Sequence, residues 1–301
     1  MPPANGTAGP DPAVAQSAAM HRLLTASILA IVFSGASVLA QWPRYALPYV
    51  PRTADGTPDL NAATPRTLDG KPDLTGIWQN FRKPGDAPVR SVNAAFFDDL
   101  PPTLINEFRD IGAGVAGGLP LQPWAAELKR QRMEQNSKDN PDAHCLPLGN
   151  MQLHTHVDPR RILQTPRLVA ILYEANYGLR QIYLDGRPAP DNDPQPWWYG
   201  YSRGRWEGDT LVVETTNFRD GGWLDINGSP LTDAAKVTER FRRPSYGYLQ
   251  IEVTVDDPKA YTKPWTVTLT QRIMVDTEMM EFICNENERS SKHFVRPSAQ
   301  P

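Results

Sequence analysis

Beyond residue 160, apolar and polar residues alternate with a period of two over most of the chain. Leu249, Ile251, Val253 and Val255 are separated by Gln250, Glu252 and Thr254. Trp265, Val267 and Leu269 are separated in the same way by Thr266, Thr268 and Thr270. A strand sends successive side chains to opposite faces, so the pattern predicts half-buried strands with one wet face, as antiparallel sheets have. Residues 76–81, 178–184, 199–206, 210–216, 237–243 and 278–285 read as further strands, and 167–175, apolar on both faces, as a buried central one. Asp185-Gly186 and Glu207-Gly208-Asp209 are hairpin-turn signals, and Pro244 is expected to end the strand before it. About nine strands at hairpin spacing predict a mainly β fold, an antiparallel up-and-down barrel or a curved sandwich.

Helical signals are confined to about residues 100–136 and read as an insertion between strands. One helix is expected over 103–110, capped by Thr103, with the glycine-rich run 112–118 breaking it. A second is expected over 123–134, with Pro123 in its first turn and a Glu127–Arg130 pair on its polar face. Residues 41–75 form a Pro-rich arm with an internal repeat of period 14. Pro51-Arg52-Thr53-Ala54-Asp55-Gly56-Thr57-Pro58-Asp59-Leu60 is followed by Pro65-Arg66-Thr67-Leu68-Asp69-Gly70-Lys71-Pro72-Asp73-Leu74. Each copy holds an Asp-Gly turn and an extended piece fixed by proline, without the dense oxygen spacing of a calcium loop. The arm is expected to lie on the domain formed by residues 76–301.

The N-terminal region carries a different pattern. Met20-His21-Arg22 precedes a charge-free apolar stretch, 23–39, and Val38-Leu39-Ala40 places small residues before a cleavage point. This is the layout of a secretory signal peptide cut after Ala40, with translation starting at Met20 and residues 1–19 upstream of it. The expected location is periplasmic or secreted, and no other stretch is apolar for long enough to span a bilayer in the mature chain. Cys145 and Cys284 are the two cysteines, and in an oxidising compartment an even pair reads as a disulfide.

Composition narrows the function classes. Of 301 residues, 31 are Lys or Arg and 34 are Asp or Glu, a net charge of −3 that argues against nucleic-acid partners. Thirty prolines favour short strands and turns over long helices. No Gly-x-Ser-x-Gly or Walker sequence is present, and Gly112-Ala-Gly-Val-Ala-Gly117 follows a helix rather than a strand, so no nucleotide cofactor is expected.

Several segments resemble a family of exported, functionally uncharacterised bacterial proteins. They are Pro72-Asp73-Leu74-Thr75-Gly76-Ile77-Trp78, the stretch Gly204-Arg205-Trp206-Glu207-Gly208-Asp209-Thr210-Leu211-Val212-Val213, Glu239-Arg240-Phe241-Arg242-Arg243 and Asp257-Pro258-Lys259-Ala260-Tyr261-Thr262-Lys263-Pro264-Trp265. Cys145-Leu146-Pro147 and Cys284-Asn285-Glu286-Asn287 fit the same family, and the likeness covers about residues 65–290. Gly76 and Trp78 on a first strand are also similar to the Gly-x-Trp of lipocalin-like barrels, which bind small apolar ligands. That resemblance implies a late arginine stacked over Trp78, either Arg272 or Arg289.

Candidate chemistry lies in two groups of residues. Trp197, Tyr199 and Tyr201 would share a strand face with Arg203 and Arg205, and together with Trp78 and Trp223 they are the expected lining of a pocket for a small apolar or aromatic molecule. The alternative is an exported hydrolase or isomerase. His154 and His156, if on a strand, would point to one face, and Asp158 or Glu214 would supply a carboxylate. His144 could join the two histidines as a weak metal set. Asp220 and Asp225 around Gly221-Gly222-Trp223 read as a loop at the rim of a binding site, and Glu239 with Arg240 and Arg242 as a surface charge ladder. A scaffold whose arm contacts a partner is the third reading.

Overall fold

The computed structural model describes residues 46–81, 108, 110–190 and 196–287. The predicted signal peptide, most of the helix expected over 103–110, and Arg289 lie outside them. The chain divides after Ala46, and the unit from Leu47 onward holds every element described below residue by residue.

Its centre is a closed barrel of nine strands. Strand β1 is Gly76–Asn80, β2 Arg160–Gln164, β3 Leu168–Tyr173, β4 Leu179–Tyr183, β5 Tyr201–Glu207 and β6 Thr210–Thr216. A small separate ribbon, β7 Gly222–Trp223 and β8 Pro230–Leu231, precedes β9 Lys236–Ser245, β10 Tyr248–Asp256 and β11 Trp265–Met274. Around the barrel the order is β1-β11-β10-β9-β6-β5-β4-β3-β2, and β2 pairs with β1 to close it. Every junction is antiparallel except β4 with β5. The period of two is why these segments form strands. Leu249, Ile251, Val253 and Val255 of β10, and Trp265, Val267 and Leu269 of β11, point into the core while their neighbours face water.

Three details of the strand reading are corrected. Asp185-Gly186 turns the chain but makes no hairpin, because Pro188 and Pro190 follow and cannot donate to a ladder. The next strand, β5, instead runs parallel to β4. Residues 278–285 are not a strand, since a barrel closed through β1 and β2 leaves no edge to extend. Strand β9 runs through Pro244 to Ser245, and the ladder with β10 shifts register just there, so the missing N–H falls at a bulge.

Helix α1 spans Pro123–Glu134, with Pro123 in its first turn, and Arg130 bonds both Glu127 and Glu134 along its exposed face. A second short helix, α2, Asn150–Thr155, occupies the barrel interior. Side chains from β1, β2 and β11 hold the carbonyls at and just beyond its C-terminus. Arg160 donates to the His154 and His156 carbonyls, Gln271 to that of His154 (3.2 Å) and Asn80 to that of Thr155 (3.2 Å), while Gln79 reaches Val157 (2.9 Å). A helix leaves its last carbonyls without partners of its own.

The arm lies across one end of the barrel. Its two repeat copies fold alike: Thr53 N–H bonds the Thr57 carbonyl and Thr67 N–H that of Lys71, both at 2.9 Å. The repeated arginines anchor them, Arg52 to Asp276 (2.6 Å) and Arg66 to Asp209 (2.7 Å). Gly247, in the β9–β10 turn, has no room for a Cβ, which would sit 2.4 Å from Leu60 of the arm. Trp78 is fully buried at this end, its indole N–H donating to the Leu74 carbonyl at 2.9 Å. The arginine over its ring is Arg243 of β9, 4.9 Å from the ring centre; Arg272 stacks on Phe81 instead. Cys145 and Cys284 form a disulfide that ties the turn after Pro141–His144 to a short C-terminal helix, α3, Cys284–Asn287.

Candidate functional site

Two places in the barrel collect groups with chemistry. The first is a cleft of about 430 Å3 at the parallel junction, lined by Leu179, Gln181, Tyr183 and the segment 196–202, with Arg180 and Ser202 in its wall. Only Ile182–Ser202 and Tyr183–Arg203 pair across this seam, so the two strands separate over most of their length. The segment before β5 is pinned against the end of β6. Trp197 N–H donates to the Asn217 carbonyl (3.1 Å), and Arg219 N–H to that of Trp197 (2.9 Å). Gly200 makes the bend with a φ of +67°. A Cβ there would lie 2.5 Å from the Thr215 methyl and 2.7 Å from the Phe218 ring.

The bend sets the rings side by side. Tyr183 and Tyr201 stack at 5.3 Å, and Trp197 lies 5.4 Å from Tyr201. The Arg187 guanidinium covers the Tyr183 ring at 3.9 Å. Tyr199 turns inward toward Tyr173, with ring centres 6.3 Å apart, and burial raises its hydroxyl pKa.

The second place is the barrel interior around α2. Glu239, fully buried, accepts hydrogen bonds from His154 Nε2 (2.6 Å) and from both terminal nitrogens of Arg180, the Nη1 contact being 2.9 Å. Arg180 also donates to Thr215 Oγ1 (2.9 Å) and Ser202 Oγ (3.1 Å). Burial by itself would raise the Glu239 pKa. The Arg180 charge and the hydrogen bonds from His154 and Arg180 outweigh it and hold the carboxyl ionised, below the usual range. Burial lowers the His154 pKa, the nearby Arg180 and Arg160 charges act in the same direction, and Glu239 offsets this only in part. His154 is therefore neutral, with its proton on Nε2 facing Glu239 and a bare lone pair on Nδ1.

The surface-ladder reading of Glu239 is thus overturned. Glu239 shares the inward face of β9 with Val237, Phe241 and Arg243. That alternation is present in the sequence and is the signal that marks it. The strand geometry expected for His154 and His156 is also corrected, because residues 150–155 are helical. The two imidazoles diverge. The His156 ring meets the edge of Phe108 at 4.7 Å, and its Nδ1 accepts from the Asp158 N–H at 3.1 Å. His144 lies elsewhere, against the Lys138 carbonyl at 2.9 Å. Among the described residues, no group of three or more His, Cys, Asp or Glu side chains is placed to hold a metal ion.

The remaining predicted residues fall apart in space. Glu214, Arg203 and Arg205 are on the outer surface, where Arg205 bridges Glu207 (3.0 Å) and Glu214 (3.2 Å). Trp223 is buried under Arg132, 4.2 Å from its ring. Asp225 is fully buried, accepting from the Ile111 and Ser229 N–H groups at 3.0 and 2.9 Å, so it is a structural acceptor rather than a rim residue. The structure brings Trp197, Tyr199 and Tyr201 together in one cleft, and Trp78, Trp223, Arg203 and Arg205 lie outside its lining. Comparison of the chain with protein-family models, with curated proteins and with solved structures finds no match in any of the three. The closed nine-strand barrel is compatible with a lipocalin-like architecture. Among the described residues, no helix is long and apolar enough to cross a membrane.

Proposed function

We propose that this is an exported protein that binds a small, flat, partly apolar molecule in the aromatic cleft between β4 and β5. The observation that carries the reading is the convergence of Tyr183, Trp197, Trp198, Tyr199 and Tyr201 on one cleft of about 430 Å3. That volume is within the range of small-ligand pockets, and rings with polar tips both stack on a planar ligand and orient it. The disulfide, the N-terminal signal pattern and the likeness to an exported family support export.

The hydrolase or isomerase reading draws on His154, held in one tautomer by Glu239 as a general base would be. Two buried guanidiniums near it and the lack of water destabilise the imidazolium that a base must become. The pair is therefore better suited to accepting a hydrogen bond than to taking a proton, which favours binding over catalysis.

Native mass spectrometry of the protein recovered after export by a bacterial host tests the reading. A retained organic molecule, lost in Tyr201→Ala, is the expected result; the truncation should weaken binding about tenfold, as removal of one stacking partner does. A bound divalent metal removed by chelation, or a bare chain that takes up no planar aromatic compound, would contradict it.

A further inference from the structure

A groove of about 500 Å3 lies between the arm and the outside of the barrel, apart from the aromatic cleft. Its floor follows from strand register. Ile77 of β1 stands opposite Arg161 of β2 on one side and Met274 of β11 on the other. Trp78, the next residue, points into the core, so this row of three lies on the outer face. Leu163, two residues beyond Arg161, continues that face and is 42% exposed. The arm supplies Leu47 and Val50 to the wall, with the Leu47 N–H held by Asp276 Oδ1 at 2.8 Å. The groove is thus mainly aliphatic, where the β4–β5 cleft is aromatic.

Two arginines enter this lining, against one carboxylate. Arg243 is buried, and its guanidinium donates to main-chain carbonyls, those of Asp73, Thr75, Ser245 and Tyr246. The Asp73 carboxylate offsets its charge. Arg161 is half-buried, and its side chain makes no hydrogen bond or ion pair among the described residues. Glu174 and Glu278 line a separate hollow that Arg161 also borders, where Glu174 accepts from the Met280 N–H at 2.9 Å. Asp276, beside the groove, is taken by Arg52 at 2.6 Å. A guanidinium without a partner among aliphatic side chains suits an anion that brings its own apolar chain. We propose that the groove binds a medium-chain aliphatic carboxylate, its head group on Arg161 and its chain along Ile77, Met274 and Leu163. An alcohol of the same length would cover Arg161 without compensating its charge, and a small anion would leave the aliphatic wall to water. One uncompensated charge matches a carboxylate rather than a dianionic phosphate.

Isothermal titration of the full-length exported protein with octanoate, octan-1-ol and acetate tests this, in the unaltered chain and in Arg161→Met. In the unaltered chain octanoate is expected to bind at least about tenfold more tightly than either analogue, because it alone supplies both chain and charge. In Arg161→Met its advantage over octan-1-ol should disappear while octan-1-ol still binds. No binding of octanoate at about 1 mM, or an affinity no greater than that of octan-1-ol, would overturn the proposal, and both are read on the unaltered chain, where misfolding of a variant plays no part. A tenfold advantage that persists in Arg161→Met would also overturn it, by placing the carboxylate elsewhere. The variant separates this groove from the aromatic cleft, which Arg161 does not line.

Discussion

Glu239 and Arg240 are adjacent in β9 and face opposite ways, into two charge networks of similar membership. Inside, Glu239 is clasped by Arg180 and His154 and sees no water. Outside, Arg240 joins Glu207 at 3.0 Å, and Arg205 joins Glu207 and Glu214, all of them partly or fully exposed to solvent. Solvent screens the outer set, and holding long side chains in place costs entropy, so such pairs contribute little to stability. The inner set has given up its hydration and depends on each partner being present. The same residue types therefore make a replaceable surface and an irreplaceable interior, one residue apart on a single strand.

The widest separation between the two networks comes from breaking each. Glu239→Gln leaves the buried Arg180 guanidinium without its counter-charge and should cost about 3–5 kcal/mol in denaturant unfolding. Glu239→Gln combined with Arg180→Met removes the stranded charge as well and should recover much of that loss. If the double variant is as unstable as the single one, burial of the charge is not what makes the pair matter.

Acid gives the next largest contrast. His156 is neutral in the fold, its pKa pushed down to about 4 by burial, against an ordinary value of 6.5. The unfolded chain binds this proton first, so stability falls as pH drops from about 6.5 to 4, by roughly 3 kcal/mol at about 1.4 kcal/mol per pKa unit. His154, also lowered by burial, acts in the same direction. Below the ordinary carboxylate range Glu239 adds a further loss, because its folded pKa is depressed and protonation favours the unfolded chain. Asp225, raised by burial, opposes this by taking up its proton more readily in the fold. Unfolding curves at stepped pH read the sum, and His156→Gln should flatten the portion between pH 6.5 and 4. An unchanged slope would place the acid sensitivity elsewhere.

A smaller effect separates the cleft from the surface beside it. Gly200→Ala should disturb the bend that seats Trp197 and Tyr199, since its Cβ would press on Thr215 and Phe218, and loss of about 1–3 kcal/mol is the scale of such overpacking. Glu214→Gln, on the outer face of the neighbouring strand, should leave the unfolding midpoint where it was. Equal effects of the two would remove the distinction between a built cleft and the wall around it.

The barrel is legible in the sequence because period-two alternation is written into its longest strands, β10 and β11 above all, and the disulfide is legible because two cysteines leave one pairing. The helix over 123–134 is equally readable from Pro123 and its polar face. What is not legible depends on closure. No local pattern announces that β1 pairs with both β2 and β11, and without that fact residues 278–285 still look like a strand. Nor does the sequence show that 150–155 folds into the barrel as a helix, since two of its carbonyl partners, Asn80 and Gln271, come from strands distant in the chain. His154 stands out in the sequence, but with a strand geometry it does not have. Glu239 is marked there by its alternation with Val237 and Phe241, but its charged neighbours Arg240 and Arg242 make the strand read as a surface ladder. In the cleft, Trp197, Tyr199 and Tyr201 are neighbours as the sequence suggests, but Tyr183 and Leu179 come only with the parallel junction, which the turn signal at Asp185-Gly186 disguises as a hairpin.

The most direct test of the central claim is a crystallographic screen of small planar aromatic fragments against the unaltered protein. Fragments should collect between Trp197, Tyr199, Tyr201 and Leu179, stacked on at least one ring, at higher occupancy than anywhere else on the barrel. Fragments that scatter over the surface, or that gather in the groove beside the arm while leaving the β4–β5 cleft without density, would contradict the assignment of this cleft as the binding site.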